Sequence, residues 1–367
     1  MNIKDVKFDC RYFKSSIPCK PNKQNNKECD SCNVYTPAEK RILIIKLGSI
    51  GDVIRSTPLV VRYRELYPNC HITWLTLFPD VLPKDNTIDE IYKFNFSSIY
   101  SISHQKFDIA INLDKEIEVC SLLADVQSTE KYGYIWDKAG NHIAPATPAA
   151  EQKLLTGFFD NISKKNTKHY LDEIFEICHL KFNDEPYLLN FNKDLIKKFT
   201  YIKDKANSKK IIGLNTGCGE RWKTRLWQKE SWEQLSKLLL INDFFPILLG
   251  GEAENIQNLE IAKNSDTFYA GHFSLEDFIA LTSICDGIVT QVSMMMHIAT
   301  ALQKPMVLMN NIFNPNEFYL YDRGILIEPS TGCDCFYGNT CSRQRHCMLD
   351  ISPQTIFDAI IKLNYNI

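Results

Sequence analysis

Two glycines, a serine and a carboxylate fall within five positions, Gly48-Ser49-Ile50-Gly51-Asp52, directly after an apolar run. That run, Ile42, Leu43, Ile44, Ile45 and Leu47, lacks strict alternation and reads as a parallel strand covered on both faces. Gly48 and Gly51 let backbone approach a ligand closely, and the helix start that follows offers N–H groups to an anion. Asp52 therefore falls at the carboxyl edge of a strand, the side on which open α/β sheets bind ligands. Local chemistry leaves two roles open for it, a group that serves a ligand or a plain helix cap.

A second chemistry-bearing stretch is Gly213-Leu-Asn-Thr-Gly-Cys-Gly-Glu-Arg-Trp-Lys-Thr-Arg-Leu-Trp227. Thr216, Gly217 and Gly219 follow a strand and offer hydroxyl and amide donors to a diphosphate. Lys223 and Arg225 supply cations that would stabilise charge on a departing diphosphate, with a solvated basic loop as the plainer alternative. Glu254 ends Gly250-Gly-Glu-Ala-Glu254, where a carboxylate pairs well with vicinal hydroxyls. A glutamate answering a helix dipole competes with that reading. Ser293 and His297 lie four apart on an otherwise apolar helix, so His297 reads as a ligand group or as a core histidine.

Thirteen cysteines are present, eight of them in two short segments. Cys10-x8-Cys19-x9-Cys29-x2-Cys32 holds one CxxC pair and two outlying thiols; four thiolates suit tetrahedral zinc, and iron uses the same soft donors. A short polar segment without a core of its own is a natural place for a metal staple. Cys333, Cys335, Cys341 and Cys347 form a tighter set that opens on Cys-x-Cys. The other five lie mostly in apolar patterns and read as small buried hydrophobes.

The elements that must carry these residues come in two series. At 367 residues the chain is expected to hold two domains, and 44% hydrophobic with 23% charged residues fits a globular protein. A net charge of −2 gives no reason to expect nucleic acid or an anionic membrane surface. No apolar run approaches the roughly 20 residues of a membrane span. The first residues lack a signal-peptide stretch, so the cytoplasm is the expected compartment and disulfides are not expected. Strands are expected at 42–47, 71–77 and 107–113, the last ending in polar Asn112 and Asp114; helices follow over 150–185. The Lys/Asp/Asn-rich stretch 192–209 reads as a linker. A second strand–helix series begins at Lys210, with strands at 211–215, 246–250, 267–270, 287–290 and 306–309. The expected layout is a cysteine-rich segment 1–40, Rossmann-like domains over 41–195 and 205–330, and a cysteine-rich tail with a C-terminal helix over 331–367.

Ile45-Lys-Leu-Gly-Ser-Ile-Gly-Asp-Val-Ile-Arg-Ser-Thr-Pro58 resembles the N-terminal signature of the family 9 glycosyltransferases, the bacterial heptosyltransferases. The resemblance implies a GT-B fold, with two Rossmann-like domains whose parallel sheets face a central cleft. It implies inverting transfer of a heptose-like sugar, with ADP-heptose as donor, to a hydroxyl of lipopolysaccharide core, surface glycan or protein. Asp52 becomes the general base, with Ser49, Gly51 and Asp114 on the acceptor side. Thr216, Gly217, Lys223, Arg225, Glu254, Ser293 and His297 become the nucleotide-sugar set, Glu254 meeting the ribose and Arg225 or Lys223 the diphosphate. No cofactor is then required for transfer, and the setting is cytoplasmic, free or peripheral at the inner membrane. The block Ser293-Met-Met-Met-His297-Ile-Ala-Thr-Ala-Leu-Gln-Lys-Pro305 also resembles the family's, with two departures: Val292 stands where the motif has Asp, and Met294 where it has Gly. A noncatalytic sugar-nucleotide or glycan binder is therefore the alternative. The C-terminal cysteines resemble the tail of many heptosyltransferases, of which the autotransporter branch holds iron through cysteines. A metal-thiolate sensor on the same scaffold is a third reading. The two cysteine sets would meet if the C-terminal helix returned to the first domain, as GT-B chains often arrange.

Overall fold

The computed structural model describes residues 1–219 and 223–365, so Glu220, Arg221 and Trp222 of the basic loop lie outside the described residues. The chain divides into two compact units, residues 1–159 with 171–188, and residues 160–170 with the chain from Leu189 onward.

In the first unit six strands form one sheet: β1 Arg41–Ile45, β2 His71–Thr76, β3 Glu90–Lys93, β4 Lys106–Asn112, β5 Gln127–Asp137 and β6 His142–Pro145. Their order is β3-β2-β1-β4-β5-β6, parallel except for the antiparallel β5–β6 hairpin. Ile42 to Ile45 are wholly buried, as expected of a strand with both faces covered. One face packs Leu43, Ile45 and Ala110 against Val119, Leu122 and Leu123 of the helix Ile117–Asp125. After β1 the helix Ile50–Ser56 is followed at once by Pro58–Leu66, whose first residue is proline, pre-set for a helix start. β5 is exposed or half-buried along most of its length, with only Gly133 and Tyr134 buried, and no apolar run marks it in the sequence.

The second unit repeats the plan: β7 Lys210–Asn215, β8 Phe244–Leu249, β9 Phe268–Tyr269, β10 Gly287–Gln291, β11 Met306–Met309 and β12 Gly324–Ile327. Their order is β12-β11-β10-β7-β8-β9, parallel throughout. In both sheets the first strand lies in the middle, the next two run to one edge, and the fourth returns to its other side. That is the doubly wound Rossmann order, with its switch point between β1 and β4 and between β7 and β10.

One expectation changes. The stretch 192–209 is helical, a 3-10 turn Lys193–Phe199 running into the helix Thr200–Ala206, with Phe199, Ile202 and Ala206 buried. Those three apolar residues, spaced three and four apart, are enough to seat an otherwise polar helix. The helix Pro353–Tyr365 puts Ile356, Phe357 and Ile360 into the second unit's core beside Trp232, Leu235 and Leu239. It therefore belongs to the second sheet's cover.

Candidate functional site

β1 and β4 are neighbours with Ile45 opposite Asn112, and the loops leaving their carboxyl ends diverge at the first switch point. Asp52 is the third residue of the helix after β1. Its Oδ2 accepts the Ser49 N–H at 3.1 Å and the Ser49 hydroxyl at 3.2 Å, and its Oδ1 pairs with Arg55 at 2.8 Å. The capping role is thus real. The carboxylate still keeps 29% of its side chain exposed, so capping holds it in place without closing it off.

Lys46, a lone charge inside an apolar run, is the residue the spacing did not single out. Its ammonium is buried against Asp114, whose second oxygen accepts the Leu47 N–H. Asn112 completes the bracket: its Nδ2 donates to the Asp114 and Tyr134 carbonyls at 2.9 and 2.8 Å, and its Oδ1 accepts the Asp114 N–H at 3.0 Å. Burial pushes the Asp114 carboxyl up, while Lys46 and the Leu47 N–H pull against it. Asp114, expected on the acceptor side, instead spends both oxygens locking β4 to the end of β1. Next to it, Lys115 faces the rings of Tyr134 and Phe158 at 5.4 and 5.8 Å. Burial, with Lys153 nearby, brings its ammonium down to about 8.

At the second switch point Asn215 lies opposite Thr290. Its Nδ2 donates to the Gly217 carbonyl at 2.8 Å and to the Thr290 hydroxyl at 3.0 Å, tying the loops after β7 and β10 together. Thr216 departs from expectation. It is fully buried, its hydroxyl donates to Asn258 Oδ1 at 2.7 Å and its N–H to the Leu249 carbonyl at 3.2 Å. It fastens the loop to the helix Asn255–Ser265 and offers no hydroxyl to a ligand.

Gly217 and Glu254 meet directly. A Cβ at Gly217 would stand 2.4 Å from the Glu254 carboxyl carbon, and one at Gly250 would stand 2.8 Å from the Glu254 Cβ. Two glycines therefore clear the space into which the glutamate folds, its Oε2 accepting the Gly251 N–H at 2.9 Å. Arg225 is buried; one terminal nitrogen donates to the Val292 carbonyl, the other to the Cys218 carbonyl at 2.5 Å, and the group lies 5.3 Å from the Phe313 ring centre. It straps the β7 loop to the β10 loop, and burial lowers its pKa. Lys223 is exposed. Ser293 precedes the helix Met294–Ala301 with its hydroxyl 3.2 Å from that of Thr290; His297, one turn on, is buried, as is Val292. Gly51 is buried within its helix and Ser49 exposed at the start of it.

All thirteen cysteines are free thiols. In the tail the Cys335 N–H donates to Cys333 Sγ at 3.3 Å, and burial together with Cys347 pushes the Cys333 thiol up to about 12. Among the described residues no three Cys, His, Asp or Glu side chains gather closely enough to hold an ion. In the tail, buried Cys335 and Cys347 lie close enough to Cys341 and Cys333 to interact with them, while the four N-terminal thiols are all partly exposed. No helix among the described residues is long and apolar enough to cross a membrane.

Two Rossmann-ordered sheets, each with polar loops at its switch point, define an α/β protein of the GT-B class. The model of glycosyltransferase family 9 (heptosyltransferase) matches residues 96–323, more than half of the chain, and the chain belongs to that family. It is 26% identical over 167 residues to lipopolysaccharide heptosyltransferase 2 of Salmonella typhimurium, an alignment covering 43% of this chain and 48% of that relative, about half its length. It is 22% identical over 292 residues to lipopolysaccharide heptosyltransferase 1 of Campylobacter coli, covering 73% of this chain and 82% of the other. Its fold matches the crystal structure of the family 9 glycosyl transferase from Veillonella parvula with a TM-score of 0.69 at 19% identity, over 90% of this chain and 98% of that one.

Proposed function

We propose that the protein is an inverting glycosyltransferase that moves a heptose-like sugar from ADP-heptose to a hydroxyl of lipopolysaccharide core, surface glycan or protein. Asp52, held by Ser49 and Arg55 yet exposed, takes the proton of the attacking hydroxyl as general base. Lys46 and Asp114 fix the loop that carries it. In the second unit the Gly217 loop and the Ser293 helix start receive the diphosphate, Glu254 the ribose hydroxyls, and His297 lies behind Ser293. Lys223 reaches the leaving diphosphate from solvent, while Arg225 supplies buried positive charge beneath it. The nucleotide diphosphate leaves as its bond to the anomeric carbon breaks and the acceptor oxygen bonds to that carbon from the opposite face. Transfer needs no cofactor, and cysteine-bound zinc or iron serves structure alone. The setting is cytoplasmic, with peripheral attachment at the inner membrane where the acceptor is lipid-linked.

The observations that carry the reading are a fixed, partly exposed carboxylate at the first unit's switch point and, separately, the glycine–glutamate–arginine arrangement at the second unit's. A panel of nucleotide-diphosphate sugars, incubated with candidate acceptors and scored for nucleotide release and product mass, tests it. ADP release that depends on both a heptose donor and an acceptor supports the assignment. Buried Val292 in place of the motif's carboxylate favours the second reading, a noncatalytic binder; tight donor binding without turnover on any acceptor would establish that instead.

A further inference from the structure

Residues 1–40 contain a single buried residue, Pro21, and only two short regular pieces, Ile3–Asp5 and the helix Lys20–Asn25. The segment has no apolar core to hold it. Its early part is clamped to the first sheet by polar contacts: Arg11 Nε to Asp89 Oδ1 at 2.8 Å, Lys14 Nζ to Glu90 Oε1 at 2.8 Å, and His71 Nδ1 to the Arg11 carbonyl at 2.8 Å. Beyond Lys14 contacts of this kind are sparse, with Lys20 Nζ to Asn86 Oδ1 at 3.0 Å among them.

In this segment Cys10, Cys19, Cys29 and Cys32 all line one pocket of about 280 Å³, whose walls come wholly from residues 1–35. We infer that these four cysteines are the ligands of one metal–thiolate centre, complete without the C-terminal cysteines, and that metal binding closes residues 15–35 into a fixed shape. The inference rests on the structural-metal reading above and adds which thiols form a site and what it does. The donor set fits: four soft thiolates are the full complement of zinc or of thiolate-held iron. All four are partly exposed free thiols, unlike Cys70, Cys120, Cys178, Cys218 and Cys285, which are buried. Lys7, Lys14 and Lys27 line the pocket with Glu28, and although Lys14 is paired with Glu90, cations outnumber acids where four thiolates would concentrate negative charge. The thiols stand around the pocket wall and do not converge on a point, so ligation must draw them together. Binding energy then becomes folding energy for a segment that lacks a core.

The full chain is purified without oxygen, analysed for zinc and iron, then stripped and titrated with Zn²⁺ or with Co²⁺, whose thiolate charge-transfer band reports cysteine ligation. Cys29→Ser with Cys32→Ser is expected to lose about one metal equivalent that Cys333→Ser with Cys335→Ser retains. Protease sites before residue 36 should open in the stripped wild type and close again on adding Zn²⁺. Stripping and reloading uses the unaltered chain, so a poorly folding variant does not decide the matter. Native zinc or native iron fixes the metal, and either leaves the ligand set standing. Metal lost only with the C-terminal variant overturns the N-terminal centre while the broader reading survives; no metal and no cobalt–thiolate band overturns both.

Discussion

Gly217 is glycine because Glu254 occupies the space a side chain would need. Gly217→Ala puts a methyl 2.4 Å from the Glu254 carboxyl, and the glutamate has to move. If Glu254 meets the ribose hydroxyls as proposed, ADP affinity should fall about tenfold, roughly 1.4 kcal/mol, while melting temperature changes little. Calorimetry with ADP checks this, and unchanged affinity would take Glu254 out of nucleotide recognition. Asp52→Asn keeps the shape of the cap and removes the proposed base, so kcat should fall by about 10²- to 10⁴-fold in the transfer assay. At this scale the sequence was legible for placement: Asp52, Gly217 and Glu254 do follow strands β1, β7 and β8. The burial of Thr216, Arg225 and Asp114 was not legible, because spacing carries no information about partners far along the chain. The partners Asn258, Val292 and Lys46 decide where those side chains point, and they lie 42, 67 and 68 positions away.

Elements are held in register by pairs of this kind. Lys46 and Asp114 tie the end of β1 to the end of β4, and both are almost wholly buried. Removing one partner leaves a buried charge, so Lys46→Met should cost about 3–5 kcal/mol. The double variant Lys46→Met with Asp114→Asn should recover part of that loss, and urea unfolding of the three variants measures the coupling. Strictly additive losses would show that the pair does not act as one bracket. A second tie joins the N-terminal segment to β3 through Glu90. Burial favours its neutral form, but hydrogen bonds from His71 and Lys14 hold the carboxyl down to about 2 from its usual 4.5. The unfolded chain binds this proton more readily than the folded one, so the stabilisation is complete above about 4.5 and is lost as pH falls toward 2. Proteolysis of residues 1–40 should rise across that window, and Glu90→Gln should flatten the response; an unchanged profile would assign the acid sensitivity elsewhere. The central strands were readable as apolar runs. β3, β5 and β6 were not, since each is only partly buried along much of its length and shows no such run; β12 has a short one, Ile325-Leu-Ile327, that was passed over.

For the molecule as a whole, the two sheets repeat one winding order, yet each unit carries a different part of the proposed chemistry. The carboxylate for the acceptor lies in the first, and the glycine loop, Glu254 and the cations lie in the second. Each unit has its own core, Leu43, Ile45 and Leu75 in one, Leu214, Trp232 and Val289 in the other. Nucleotide binding should then be a property of the second unit's loops alone. In the intact chain Lys223→Ala with Glu254→Gln should weaken ADP binding by about 1.5–3 kcal/mol for each charged hydrogen bond lost. Asp52→Asn should leave it unchanged, and the combined variant should match the loop variant within about 0.5 kcal/mol, as expected of sites without shared partners. Turnover behaves differently, since it requires both groups in one reaction and should fall with either change. Calorimetry and the transfer assay on the same four proteins separate the two quantities. If Asp52→Asn weakens ADP binding as much as the loop variant does, Asp52 belongs to the donor site and the division of labour between the units is wrong.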